Sequence, residues 1–287
     1  MAAKLTDQMI NIALGDKREP KSEPRLGLIN YINSLPIVLP IIDGQIKVAA
    51  QTVFAEPAGL NALYASGKLD LGAISAFSFL QLGNCQLMPG ISIGSRGAVG
   101  SVLFFSKRDI ETDQPLRIAV PTASASAVNL LLLLLLEHGC QKPVFMASQQ
   151  PDLSEPSIDA ALVIGDQALI IDQSWSRQYQ RRDLGQWWHE VYSLPAVFGV
   201  FAARKDWYRA DNNNMFNTIN ETLIESAKFG LSEYFGKVLA KAEAKTGLPK
   251  PRLAKYFKEE LDYALSAEHQ LALNKYERLC RQHGLLK

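Results

Sequence analysis

Residues Arg25 to Pro36 read R-L-G-L-I-N-Y-I-N-S-L-P, and the change of character part-way through this stretch decides the fold. Leu26, Leu28 and Ile29 form an apolar strand, and Asn30, Tyr31, Asn33 and Ser34 form a polar turn directly after it. Pro36 then limits how the chain continues. In open α/β folds ligands sit beyond the carboxyl ends of parallel strands, so amide and hydroxyl groups delivered there face a ligand. The same residues also suit an ordinary strand-to-helix loop capped by Asn33 or Ser34. On this segment alone the two readings stand side by side.

Outward from this strand, apolar runs alternate with helical spacing. Gln45 to Phe54 alternates as a strand, and Glu56 to Ser66 places Leu60, Leu63 and Tyr64 on one helix face before Gly67. Asp70 to Ile74 is a short buried strand that delivers Ser75, and Phe77 to Leu82 resumes helical spacing. Ile91 to Ile93, Val99 to Ser106, Leu116 to Val120, Asp159 to Ile164 and Pro195 to Ala203 read as further strands. From Asp211 onward the pattern is helical, with Pro249 and Pro251 marking a break. Such alternation predicts an α/β chain with largely parallel sheets. The strands cluster in two groups, which fits two lobes with a cleft, the chain crossing near 107–115 and again near 202–207. A single doubly wound sheet is the competing architecture.

Composition narrows the partners. The 287 residues are 47% apolar and 21% charged, a globular balance. Thirty basic residues against 29 acidic ones leave a net charge of +1, so no global field draws the chain to nucleic acid or anionic lipid. Cys85, Cys140 and Cys280 are odd in number and lack C-x-x-C spacing, which argues for buried free thiols rather than disulfides or a structural zinc. Residues 1–24 hold no apolar core of signal-peptide length and read as a flexible extension, so a cytoplasmic protein is expected. The leucine run Leu130–Leu136 is far shorter than the ~20 residues of a spanning helix; a helix buried on all sides is expected instead.

The polar groups expected at strand ends are neutral: Asn33 and Ser34, Ser75, Ser101, Ser124 and Ser126 in the turn P-T-A-S-A-S, with Asp166 as the acidic exception. Neutral donors at a helix start suit a carboxylate, although Ser124 or Ser126 equally serves as a plain cap. His138, His189, His269 and His283 lie away from these strand ends and read as C-terminal helix residues or surface groups. No nucleophile elbow, P-loop, dinucleotide fingerprint or H-E-x-x-H occurs. The pattern points to an anionic small molecule that is held and oriented.

Several stretches together carry a resemblance. The opening segment, G-K-L-D-L-G-A-I-S (Gly67 to Ser75), G-A-V-G-S-V-L-F-F-S (Gly97 to Ser106), A-L-V-I-G-D-Q-A-L (Ala161 to Leu169), D-L-G-Q-W-W (Asp183 to Trp188) and L-D-Y-A-L (Leu261 to Leu265) occur in order. The chain, over roughly 25 to 285, resembles the chorismate dehydratase family of the futalosine route to menaquinone. The resemblance implies a two-lobed periplasmic-binding-protein type II fold with mixed sheets, helices on their faces and a ligand cleft between the lobes. Lobe 1 is expected over 25–106 plus 204–287 and lobe 2 over 107–203.

It also implies dehydration of chorismate, a dicarboxylate, to 3-[(1-carboxyvinyl)oxy]benzoate with no cofactor and no metal. The positions matching the family's substrate contacts are Asn33 and Ser101, expected as catalytic residues. Tyr31, Ser75, Ser124, Ser126 and Asp166 are expected to bind substrate. The substrate's own enolpyruvyl carboxylate is the expected base, with Asp166 the protein's alternative. The chain departs from the family pattern at Ala76, Ala127 and Ala196, which leaves room for a relative acting on another carboxylate. A non-catalytic cytosolic carrier and 1,4-dihydroxy-6-naphthoate synthase are the other readings; the latter is expected to use a histidine in the cleft.

Overall fold

The computed structural model describes residues 23–111, 114–140, 142–209 and 212–286. The extension expected over 1–24 therefore lies outside the described residues except for Glu23 and Pro24. Among the described residues ten strands form: β1 (Arg25–Ile29), β2 (Gln51–Ala55), β3 (Leu71–Ser75), β4 (Cys85–Ser95), β5 (Val102–Ser106), β6 (Leu116–Pro121), β7 (Pro143–Ser148), β8 (Ala160–Ile164), β9 (Gln180–Asp183) and β10 (Ala196–Arg204). They make two five-stranded sheets, ordered β2-β1-β3-β10-β4 and β7-β6-β8-β5-β9.

Each sheet is mixed rather than largely parallel. β1 pairs parallel with β2 and β3, while β10 runs antiparallel between β3 and β4. In the second sheet β6 pairs parallel with β7 and β8, and β5 is antiparallel to β8 and β9. This pairing moves the expected lobe boundaries. β5 belongs to the second sheet and β10 to the first, so the chain crosses at 96–101 and returns at 193–195. An apolar run such as V-L-F-F reports burial, and burial does not say which sheet supplies the neighbours.

Strand centres are the core of each lobe: Leu26, Leu28, Ile74, Leu103, Phe104 and Leu162 are at most 1% exposed. Each such side chain contributes roughly 1.5–3 kcal/mol by leaving water. After the turn at Ile32–Ser34, helix α1 (Leu35–Ile42) accepts Pro36 in its first turn, where no backbone N–H is needed. Helix α8 (Asn213–Leu231) packs onto it at Gly230, since any Cβ there would strike the Pro36 carbonyl. Ser226 adds a buried hydrogen bond, its hydroxyl donating to the Ile37 carbonyl at 2.6 Å. That packing anchors the polar turn at the end of β1.

Helix α4 (Ala125–Glu137) holds the leucine run, with Leu130, Leu131, Leu133, Leu134 and Leu135 buried. Among the described residues no helix is long and apolar enough to cross a membrane. The three cysteines are free and buried, as expected.

Candidate active site

A cavity lies between the sheets, with about 670 Å³ of empty space including its mouth. Both lobes line it: Tyr31, Asn33 and Ser75 come from the strand ends of the first sheet, and Ser101, Ser124 and Gly165 from the second. Ile29, Ile74, Ile93, Val99, Val102, Ile164, Phe198 and Leu261 supply apolar walls. Among the described residues its lining contains no charged side chain and no histidine. A few polar groups in an apolar hollow of this size fit a small organic ligand.

Asn33 is the least satisfied of the polar groups. Its Oδ1 is buried and has no hydrogen-bond partner among the described residues. A buried amide oxygen left alone costs about 1–3 kcal/mol, which a ligand can offset. The turn that carries Asn33 is fixed from both sides: Ser34 donates to the Ile29 carbonyl at 2.7 Å, and Tyr263 donates to the Asn33 carbonyl at 2.7 Å. Ser34 thus closes the turn and leaves Asn33 to face the cavity.

Ser101 sits where the chain has just crossed to the second sheet. Its Oγ is 2.9 Å from the Tyr256 hydroxyl. The crossing loop owes its shape to Asp183, whose carboxylate accepts the backbone N–H groups of Val99, Gly100, Gly185 and Gln186 at 2.7–3.1 Å. Burial pushes the Asp183 carboxyl up from its ordinary value, and the N–H groups of Val99, Gly100 and Gln186, with the nearby Arg181, oppose that shift.

Two helices begin at the cavity. Ser124 caps α4, its Oγ accepting the Ala127 N–H at 3.2 Å. Gly165 opens α5 (Gly165–Trp175) with φ +60°, and the Tyr31 ring stands 3.3 Å from where a Cβ would lie. Only glycine meets both demands cheaply. The positive ends of α4 and α5 therefore point at the cavity and favour a bound anion. Burial, with Glu56 and Asp166 nearby, pushes the Tyr31 phenol up to about 12, so it stays neutral.

The expected site residues divide. Asn33, Ser101, Tyr31, Ser75 and Ser124 share the cavity. Ser75 has little left to offer a ligand, because its Oγ caps helix α3 (Ala76–Leu82), donates to Ser78 Oγ and accepts from Asn61. Ser126 and Asp166 are not on the cavity lining. Ser126 Oγ accepts the Phe77 N–H across the lobes at 2.9 Å. Asp166 accepts the Ile32 N–H at 3.0 Å and pairs with Lys245 at 2.9 Å, and Lys245 also donates to the Asn30 carbonyl. Each of the two thus accepts a backbone N–H from the opposite lobe.

Of the substituted positions, Ala127 lines the cavity, Ala196 lines a smaller apolar hollow behind Phe198, and Ala76 lines neither. His269 departs from the C-terminal-helix or surface reading: it is fully buried beside Ser266 in the first turn of helix α11 (Ala267–Gln282). Asp183, Tyr256 and Tyr263 escaped the sequence reading. Their one signal was their place in or near D-L-G-Q-W-W and L-D-Y-A-L.

The family described as menaquinone biosynthesis matches residues 24–282. The chain belongs to that family. Chorismate dehydratase of Thermus thermophilus is 26% identical over 268 residues, covering 88% of this chain and 93% of the relative. 1,4-Dihydroxy-6-naphtoate synthase of the same organism is 24% identical over 215 residues, covering 72% and 74%. Among solved structures, the periplasmic aliphatic sulphonate binding protein of Escherichia coli superposes with a TM-score of 0.62 at 15% identity, over 93% of this chain and 94% of that one. This member of the menaquinone biosynthesis family thus has the periplasmic-binding-protein fold, as the resemblance implied.

Proposed function

We propose that the protein is a chorismate dehydratase, a hydro-lyase that removes water from chorismate without a cofactor to give 3-[(1-carboxyvinyl)oxy]benzoate. The observation that carries this reading is the unpartnered, buried amide oxygen of Asn33 in an uncharged cavity that also presents Ser101. Family membership and the likeness to the Thermus chorismate dehydratase support it.

The reaction asks little of the protein beyond geometry. The ring hydroxyl and the neighbouring ring proton leave, and the ring becomes aromatic, so the driving force is large. As the C–H bond breaks, negative charge spreads onto the ring carboxylate. Fixed neutral donors and the starts of α4 and α5 stabilise charge that develops there. The substrate's enolpyruvyl carboxylate takes the proton and passes it to the departing hydroxyl. Water leaves, and no protein group changes its proton. Asn33 offers an acceptor and a donor from one amide, and so can hold the hydroxyl or a carboxylate oxygen in register. Asp166, with both oxygens engaged, serves closure in this reading.

A carrier would hold the same ligand unchanged. The naphthoate synthase reading loses ground because no histidine lines the cavity among the described residues. Incubating purified protein with chorismate and following the aromatic product by absorbance and mass spectrometry separates these outcomes. Product supports the proposal, tight binding without product supports a carrier, and no binding sinks both.

A further inference from the structure

Helix α10 (Lys250–Lys255) ends in a single π-helical turn, Tyr256–Glu260. Such turns are rare and gather at functional sites. This one directs the Tyr256 phenol at Ser101, 2.9 Å away. Arg252 pairs with Glu260 across the turn at 2.9 Å. The Glu260 carboxylate lies against Gly100, where φ is +68° and any Cβ would collide with it. The residue before Ser101 is thereby pinned between Glu260 on one side and the Asp183 carboxylate on the other.

Two hydroxyls share one hydrogen bond, and burial decides its direction. Tyr256 is 0% exposed, and Ser101 Oγ is its phenol's one acceptor among the described residues. A buried O–H without an acceptor is costly, so Tyr256 donates and Ser101 accepts. The Ser101 hydrogen has no acceptor among the described residues, and its side chain lines the cavity. It is left to point at the ligand. Accepting one hydrogen bond polarises the hydroxyl and strengthens the one it gives. Burial holds Tyr256 above the ordinary tyrosine range, so it remains a donor at any working pH.

We infer that Tyr256 is a positioning residue: by donating to Ser101 Oγ it commits the Ser101 hydroxyl to donate into the cleft, which selects an acceptor oxygen, such as a carboxylate, at that point of the ligand.

The kinetic test rests on the chorismate reading. Tyr256→Phe keeps the ring and lowers kcat about tenfold, with KM changed by less than about twofold. Ser101→Ala lowers kcat about a hundredfold, as loss of one oriented donor does. Tyr256→Phe adds nothing further in the Ser101→Ala background, since it acts through that hydroxyl. Losses that multiply, or full kcat in Tyr256→Phe, would overturn the inference.

A second measurement needs no substrate. With 13C at the tyrosine Cζ positions, Ser101→Ala shifts one of the nine tyrosine signals, the one absent from Tyr256→Phe. If no signal moves, the bond does not exist and the inference falls. If Tyr256→Phe fails to fold by circular dichroism, the Ser101→Ala spectrum still decides. If wild-type protein leaves chorismate unchanged, the functional proposal fails while the spectrum continues to test the bond.

Discussion

The cavity lining carries no charged side chain among the described residues, whereas ion pairs stand just outside it, at the start of α5 and at the first crossing. Asp166 and Lys245 join the start of α5 to the turn after β1. At the first crossing, Arg96 pairs with Asp262 at 2.8 Å and with Glu268, and His269 stands 3.3 Å from Asp262. A fixed cation inside the cleft would grip a carboxylate equally in the ground state and the transition state, which lowers KM without raising kcat. It would also have to be stripped of water. Neutral dipoles bury at lower cost and act where charge appears. Charge is placed outside the cleft, at the start of α5 and at the first crossing.

Placing charge in the cleft is the most direct way to break this contrast. Asn33→Asp is nearly isosteric and sets a carboxylate against a dicarboxylate. Like charges brought together cost several kcal/mol, so kcat/KM for chorismate falls about a hundredfold or more while the circular dichroism spectrum stays that of the folded protein. Activity within a factor of two of wild type in a steady-state assay would show that the neutral lining has no role in recognition.

Removing charge from the crossing comes next. Burial raises the Asp262 carboxyl, but His269, the Ala264 N–H and Arg96 outweigh it and bring the value from 3.8 to about 2. A carboxylate with a depressed folded pKa stabilises above its unfolded pKa, and that contribution fades as pH falls from about 4 through about 2. Its size is on the order of 2 kcal/mol. Asp262→Asn therefore unfolds at lower denaturant concentration at pH 7, and the gap to wild type closes toward pH 2. A gap that does not change with pH rules out this linkage.

Smaller effects follow from the seam over the cleft. Asp166→Asn weakens the pairing with Lys245 and raises KM about fivefold to tenfold, the equivalent of roughly 1 kcal/mol, while kcat stays within about threefold. A collapse of kcat with intact binding would instead make Asp166 the base. Ser126→Ala leaves the Phe77 N–H alone and costs about 1 kcal/mol. A thermal melt then shifts by about 2–4 °C, with kcat/KM nearly unchanged.

What the sequence made legible follows from how local each feature is. The apolar runs at β1, β3, β5, β8 and β10 and the leucine helix declare themselves, because a buried strand or helix needs a run of apolar residues. Asn33, just after the β1 run, and Ser101, just before the β5 run, were singled out by their match to the family's motifs. β9 is Q-R-R-D, a polar edge strand with no hydrophobic signature, and β7 is an edge strand with Val144 and Met146 exposed. Neither stood out. Ser126 and Asp166 were visible as cap residues, but their partners Phe77 and Ile32 lie in the opposite lobe. Tyr256 acts on a residue 155 positions away in sequence, beyond the reach of any local pattern.

The position of β10 between β3 and β4 has a consequence for how the molecule comes into being. On the ribosome, β3 and β4 emerge early, yet they have no direct pairing and must wait for a strand made after the whole second sheet. The strands of that sheet run unbroken from 102 to 183, so the later-made half is complete first. Until residue 204 is out, β4 is an open apolar edge of the kind that recruits other chains. Asn33 waits longer still, for a tyrosine added within the last twenty-five residues of the 287.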